Sequence, residues 1–307
     1  MAVPANEQKE GPRNLHIWRT GQSYTLQKGA LYRKEWTNLY FSLLPQPADL
    51  DERIIRHYDV RKPLPLADNS FDGAYAMHVI EHLDPNEGLA FVKELYRVVK
   101  PRGICRLSTP DLEDIIRNYF SRLKIGWADP SDKNICNYRW AQFEIFDQLT
   151  RRKSGGEMID AIKAGDYHED YLKERYGDVY QEFIPQKERE ISAQIRSQLA
   201  AEGGPARRKR TFLEKLKGKF SQKAYQYRLR KALREHNEDP RRTLESNKWM
   251  HDRLSVKFLM EQAGFMDYQV RTYKESDLKG WDRYRLDQSN FGDHAIEPSL
   301  YVEARKP

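Results

Sequence analysis

The chain has 307 residues, with 53 Lys and Arg against 46 Asp and Glu, 39% apolar and 12% aromatic residues. That length suits one large domain or two small ones, and the apolar content is enough for a packed core, which excludes global disorder. No run approaches the ~18 apolar residues of a membrane-spanning helix, the opening MAVPANEQKEGPRN has no apolar core of a signal peptide, and two cysteines cannot build a disulfide framework or a four-thiolate zinc site. The cysteines read as buried thiols in a reducing cytoplasm.

The net charge of +7 is unevenly spread. Residues 206–235 hold 12 Lys and Arg and 2 Asp and Glu, so this segment carries +10 and the other 277 residues sum to −3. The chain as a whole is not basic, which removes most of the force of a nucleic-acid reading.

In chain order, 14–18 (NLHIW), 36–41 (WTNLYF) and 54–59 (IIRHYD) read as short strands. A fourth, 71–77 (FDGAYAM), follows the turn-rich Ala67-Asp68-Asn69-Ser70. Over 85–99, Leu89, Val92, Leu95, Tyr96 and Val99 share one helical face. Lys100-Pro101-Arg102-Gly103 stops that helix, and 104–108 (ICRLS) is a fifth strand. Pro110-Asp111 opens another helix, with Leu112, Ile115, Ile116 and Tyr119 inward. Strands separated by helices imply crossover connections and a largely parallel sheet.

Residues 126–245 differ: they are long, helical in pattern and highly charged. Over 138–150, Trp140, Phe143, Phe146 and Leu149 form an amphipathic face, which Lys153–Met158 interrupts. Residues 246–307 return to the α/β pattern, with a helix over 254–262 closed by Gly264 and strands at 268–273 and 300–304. The expected organisation is a core of 1–125 and 246–307, with 126–245 as an inserted helical lid.

The stretch from Asp59 to Pro110 carries the chemistry. It contains L-P-L-A-D-N-S-F-D, then H-V-I-E-H-L, then E-L-Y-R-V-V-K-P-R-G, then L-S-T-P-D. In this order and spacing these motifs resemble the class I S-adenosylmethionine-dependent methyltransferases of type 11. Segments 138–158, 248–265 and 298–307 resemble a subgroup associated with polysaccharide and lipopolysaccharide biosynthesis. The resemblance implies a Rossmann-like fold, a mostly parallel seven-stranded sheet with helices on both faces and a long helical insertion. It implies S-adenosylmethionine as cofactor and methyl transfer to an oxygen of a glycan or lipid-linked saccharide.

The resemblance also assigns roles. Trp18, Gly21, Asp59, Val60, Ala76 and Met77 fall at cofactor positions. Glycine in the turn after the first strand lets backbone approach the cofactor, and the acid after the third strand meets the adenine amine. Three departures stand out. The first turn reads Trp18-Arg19-Thr20-Gly21-Gln22 in place of G-x-G, and the second strand ends near Tyr40 where an acid is usual; Arg102 also replaces a glycine. A second reading therefore stays open: a degenerate member that serves as scaffold or partner in glycan assembly, or one that uses Arg19, Lys28 and Arg33 to hold a phosphate or nucleotide-sugar.

His78, His82 and Asp111 are the candidate catalytic residues, at the carboxyl ends of the strands where ligands sit in open α/β sheets. An imidazole suits the task of taking a hydroxyl proton, although His82 could equally bond to backbone and Asp111 could cap a helix. The spacing His78-x-x-Glu81-His82 also matches an inverted zinc-protease motif. That motif needs a helix, and here it follows a strand and precedes Asp84-Pro85, so no metal site is expected. Tyr138, Glu144, Asp147 and Gln148 are candidates for sugar recognition, through carboxylates, amides and aromatic stacking; the alternative for Glu144 and Asp147 is a solvated helix face. Asp252 and Arg253 are expected to pair at the lid base. Within the basic segment, Phe212, Leu213, Leu216 and Phe220 form an apolar stripe among cations, which suits an anionic membrane surface. The expected location is the cytoplasm, peripheral at the inner face of the membrane.

Overall fold

The structure is a computed structural model. It describes residues 14–19, 36–41, 54–55, 58–153, 155–177, 246–284, 286–288, 295 and 298–307. Gly21, Lys28, Arg33 and the basic segment 206–235 lie outside the described residues, as do the side chains of Trp18, Arg19 and Tyr40.

Seven strands form one sheet: β1 (Asn14–Arg19), β2 (Thr37–Phe41), β3 (Ile54–Ile55), β4 (Phe71–Met77), β5 (Val99–Pro110), β6 (Met266–Arg271) and β7 (Ser299–Arg305). Their order is β3-β2-β1-β4-β5-β7-β6. The first five pair in parallel, and β7 lies antiparallel between β5 and β6. This is the Rossmann-like, mostly parallel architecture that the sequence resemblance implies.

Strand alternation divides the residues between two faces. Ala74 and Ala76 of β4, Cys105 and Leu107 of β5, and Val302 and Ala304 of β7 enter the main core. There they meet α1 (Pro85–Val98) and α6 (Arg253–Ala263) through Phe91, Val92, Leu95, Val256 and Met260. Tyr75 and Met77 face the other side with Ile104, covered by Trp36, Leu278, Leu286 and the short helix α7 (Trp281–Tyr284). Asp84 starts α1 by accepting from the amides of Asn86 and Glu87, while Glu87 bonds back to the Asp84 amide. Asp252 caps α6 in the same way, with Ser255 as its partner. Arg253 reaches Glu113 at 2.8 Å, so the pairing of Asp252 with Arg253 expected from sequence gives way to a cap and a cross-helix bridge.

The segment Lys100–Gly103 ends α1 as expected but belongs to the next strand. Five residue steps of β5, Val99 to Ile104, stand against two of β4, Phe71 to Gly73, so the segment bulges. Arg102 sits there at φ +67°. Gly103 is held for a separate reason: a Cβ would lie 2.8 Å from the Asp72 carbonyl oxygen and 2.9 Å from that of Lys100. The replaced glycine is thus the one that needed only an unusual dihedral, and the retained glycine is the one that needs space.

Four helices follow β5 or lie beyond it: α2 (Leu112–Ala128), α3 (Asp132–Thr150), α4 (Gly156–Ala164) and α5 (Glu169–Tyr176). Trp140, Ala161, Ile162, Tyr171 and Leu172 form their own buried cluster. The face of α3 differs from expectation. Asn137, Trp140, Ala141, Glu144 and Asp147 are buried, whereas Phe146 is 55% exposed. The inward stripe is rotated because two acids on it, Glu144 and Asp147, find partners.

Candidate functional site

The site begins where β4 ends. Met77 is buried and the next residue, His78, takes φ +49°, uncommon for a side chain other than glycine. Its amide bonds to the Ser108 carbonyl at 3.0 Å, which ties this kink to β5. A single 3-10 turn, Ile80–His82, then brings Glu81 back beneath His78. The Glu81 side chain is 1% exposed as a residue. One oxygen, Oε1, lies 3.1 Å from His78 Nδ1 and 3.8 Å from His82 Nε2; Thr109 Oγ1 donates to Oε2 at 3.4 Å. Burial pushes the Glu81 carboxyl up, but the hydrogen bond from His78 and the imidazoles of His82 and His78 outweigh it and hold the group at about 2. Glu81 is therefore an ionised carboxylate among imidazoles.

A segment from the far end of the sequence closes the cluster. The amides of Lys248 and Trp249 donate to the Glu81 carbonyl at 2.7 and 3.1 Å, and Lys248 Nζ pairs with Glu87 at 2.7 Å. The Ser246 carbonyl lies 3.4 Å from His82 Nδ1. The His251 carbonyl accepts from the Leu112 amide at 3.0 Å, and His251 bridges to Asp111. The His251 ring is buried with no partner for Nδ1, and burial lowers its pKa, with Glu81 opposing. From the other side, Ser299 at the start of β7 places Oγ 3.0 Å from His78 Nε2.

The sequence-derived candidates thus part company. His78 and His82 converge on Glu81. The His82 side chain is 6% exposed and spends a nitrogen on backbone, the structural role considered for it, while that of His78 is 15% exposed. Asp111 caps α2 by accepting from the Glu113 amide, and burial raises its pKa. Ala76 and Met77 are buried in β4 beside Ile17 and Trp18 of β1.

Asp59 lies in the turn beyond β3 and holds Arg61 through both oxygens, at 2.8 Å each. The hydrogen bond from Arg61 lowers its pKa. Val60 beside it is buried. The loop that follows is fixed by Arg97, which bonds Asp68, Glu94 and the carbonyls of Leu64 and Leu66.

The four residues assigned to sugar recognition sit within the helical unit. Glu144 is buried and binds Arg175 at 2.9 Å, Asn118 at 3.0 Å and the Tyr176 hydroxyl. Asp147 accepts from the amides of Glu157 and Met158, at the start of α4, and from Arg151. Gly156 makes that approach possible: at φ +60°, any Cβ would collide with the Asp147 carboxylate. Neither acid lies on a solvated face. Gln148 bonds Asn247 through both side chain and backbone, at 2.8 Å, and the Tyr138 ring lies 5.9 Å from that of Tyr119.

Three members of the cluster, Glu81, His251 and Ser299, were not among the sequence-derived site residues. Glu81 was visible only within a motif. His251 and Ser299 are distant in sequence and arrive through tertiary pairing, His251 by its bridge to Asp111 and Ser299 by the register of β7, for which local pattern carries no signal. Among the described residues, no group of three or more His, Cys, Asp or Glu is arranged to hold a metal ion, and no helix is long and apolar enough to cross a membrane.

Comparison with known proteins places this region in context. Residues 44–107, from before β3 to within β5, match a family described as a methyltransferase domain. None of the curated proteins matches the chain. Similar solved structures include an S-adenosylmethionine-dependent methyltransferase from Thermotoga maritima, described as a possible histamine N-methyltransferase. It is 12% identical, with 97% of this chain and 84% of that one covered, at a TM-score of 0.34. Another such methyltransferase, from Archaeoglobus fulgidus, is 12% identical over 96% of this chain and 87% of that one, at 0.36. A third, from Methanosarcina mazei, is 12% identical over 97% and 94%, at 0.35.

Proposed function

We propose that this protein is an S-adenosylmethionine-dependent methyltransferase. The observation that carries this reading is the matched methyltransferase segment, residues 44–107. It runs through the Asp59 turn and β4 to the histidine-lined carboxyl edge of a sheet ordered β3-β2-β1-β4-β5-β7-β6. The described residues fit the adenosine half of the cofactor. Asp59 offers a partly exposed carboxylate next to buried Val60. A carboxylate has about four lone-pair sites, and Arg61 fills three, two from its guanidinium and one from its backbone amide, so one remains for an adenine amine. Ala76 and Met77 would form the floor at the end of β4. When bound, S-adenosylmethionine supplies an electrophilic methyl group on a sulfonium.

The chain's own contribution is alignment and proton removal. His78 is better placed than His82 to take the proton of an acceptor hydroxyl. Its Nε2 faces the strand ends, and ionised Glu81 fixes the proton of the neutral ring on Nδ1. The acceptor we infer is an oxygen of a glycan or lipid-linked saccharide. Support comes from the likeness of segments 138–158, 248–265 and 298–307 to polysaccharide-associated methyltransferases. The basic amphipathic segment 206–235 would dock on an anionic membrane, and recovery in the supernatant regardless of anionic lipid in vesicle co-sedimentation would reject that.

A second reading is a member that keeps the fold and has lost the cofactor. The bidentate hold of Arg61 on Asp59 and the turn Trp18–Gln22 favour it. Titration calorimetry with S-adenosylmethionine and its demethylated product separates the two. Micromolar binding of both is the expected result; no heat with either, together with binding of a nucleotide-sugar, would overturn it.

A further inference from the structure

Ser299, His78 and Glu81 lie in a line that the methyl-transfer reading does not require. Ser299 Oγ is 3.0 Å from His78 Nε2, and His78 Nδ1 is 3.1 Å from Glu81 Oε1. We propose that these three residues form a nucleophilic triad, with Ser299 attacking the carbonyl carbon of a carboxylic ester or acyl thioester.

The geometry supplies each role. Hydroxyl, imidazole and carboxylate are joined in sequence by hydrogen bonds of ordinary length, the arrangement by which a weak hydroxyl nucleophile is activated. Glu81 is shielded from water and ionised, so it can only accept; the neutral imidazole therefore carries its proton on Nδ1 and turns the Nε2 lone pair toward Ser299. The ring is held by the backbone too. His78 keeps φ +49° while its amide is pinned to Ser108, and unusual dihedrals of this kind collect where a side chain must be aimed. The Glu81 backbone is pinned in turn by the amides of Lys248 and Trp249. Ser299 is the first residue of antiparallel β7, opposite Pro110, the last of β5. That register sets its hydroxyl at the carboxyl edge of the parallel strands, where ligands enter such sheets. Ser299 is part-buried.

The step is balanced without a cofactor. The Ser299 oxygen bonds to the acyl carbon while its proton passes to His78 Nε2. The carbon–oxygen or carbon–sulfur bond to the leaving group breaks, and that alcohol or thiol takes the proton from His78. Water then attacks the acyl-serine by the same route, releasing a carboxylic acid and restoring the hydroxyl. The methyl donor has no part, so failure of S-adenosylmethionine to bind leaves this proposal standing, and donor binding leaves it open to the following test.

The full chain is treated with a fluorescent alkyl fluorophosphonate, and the adduct is mapped by mass spectrometry, with the urea-unfolded chain as reference. The expected result is one adduct on Ser299, forming at least about 100-fold faster than on the unfolded chain. Ser299→Ala should abolish it, and His78→Asn and Glu81→Gln should slow it by about 10²–10⁴-fold, the range typical of a lost base or a wrong tautomer. No faster labelling than in the unfolded chain, labelling elsewhere, or an unchanged rate in His78→Asn would reduce the three residues to a latch between β4 and β7. Should a variant fail to fold, the wild-type ratio of native to unfolded labelling at Ser299 decides alone.

Discussion

Strands β4 and β5 carry two buried ionised clusters, built on opposite principles. In the middle of the sheet, Arg106 is fully buried. It binds Asp287 at 2.6 Å and Glu303 at 3.0 Å, donates to the carbonyls of Thr272 and Glu275, and lies 4.4 Å from the Trp281 ring centroid. Tyr75 donates its hydroxyl to the same Asp287. At the carboxyl end of the same strands, Glu81 is equally buried, but its partners are imidazoles and a threonine. A guanidinium stays charged at every pH that a protein meets, whereas an imidazole gains and loses a proton near neutrality. The first cluster is a fixed fastening for residues 272–288 on the sheet. The second is built on groups that can carry a proton either way, and it lies at the strand ends within the segment that matches the methyltransferase domain.

The largest test of this contrast is Arg106→Met. It keeps much of the buried volume and leaves Asp287 and Glu303 without their shared cation. Breaking a buried ion pair from one side costs about 3–5 kcal/mol, so the urea midpoint at pH 7 should fall accordingly. A loss within 1 kcal/mol would mean that apolar packing around Trp281 and Tyr284, and not the bonds and contacts of the guanidinium, holds the segment.

Glu81→Gln should cost less and depend on pH. The Glu81 carboxyl titrates at about 2 in the fold against 4.5 as its ordinary value. A depressed carboxylate stabilises the fold fully above its unfolded value and loses that contribution as pH falls through its folded one. A gap of this size corresponds to about 3 kcal/mol. Wild type should therefore be more stable than the variant at pH 7, and the two should converge between pH 4.5 and 2. Parallel curves over that window, followed by urea unfolding, would show that Glu81 acts by shape alone.

Much of this arrangement was legible in the sequence, and the gaps have physical causes. Strand β4 appears over the residues expected, because Phe71–Met77 combines a turn before it with alternating faces. The helix pattern over 85–99 ends within one residue of α1, where Val99 turns into β5. Helices α4 and α5 were hidden: Glu169–Tyr176 is mostly charged, and its burial rests on Tyr171 and Leu172 with an ion pair from Arg175 to Glu144. Glu144 reads from sequence as a candidate for sugar recognition or a solvated face, because sequence shows a charge and not its partner. The Glu81 cluster was half visible for the same reason. His78 and His82 stand in one motif with Glu81, whereas Ser299 joins it only once β7 inserts antiparallel beside β5, and His251 only once its segment bridges to Asp111.

The contrast between the two ends extends to the backbone, and its smallest test is Arg102→Gly. Two residues other than glycine on this strand pair adopt positive φ: His78 at the carboxyl edge and Arg102 at the opposite end, in the bulge that opens β5. His78 is held by Ser108 and aimed at two partners. Arg102 has an exposed side chain, and only its backbone is engaged: the amide donates to the Lys306 carbonyl at 2.9 Å, and the carbonyl accepts from Arg305 at 3.0 Å. Glycine keeps both bonds and removes a left-handed penalty of about 1–2 kcal/mol. It also gives the unfolded chain more freedom, which takes back about 0.5–1 kcal/mol. The balance is a gain of about 0.5 kcal/mol, or a rise in Tm of about 1 °C for a chain of this size. The strain at Arg102 is then incidental, a residue change that the C-terminal bonds absorb. If the gain instead exceeded 2 kcal/mol, the bulge would be storing strain, and positive φ would no longer separate the edge where a side chain is aimed from the edge that only turns the chain.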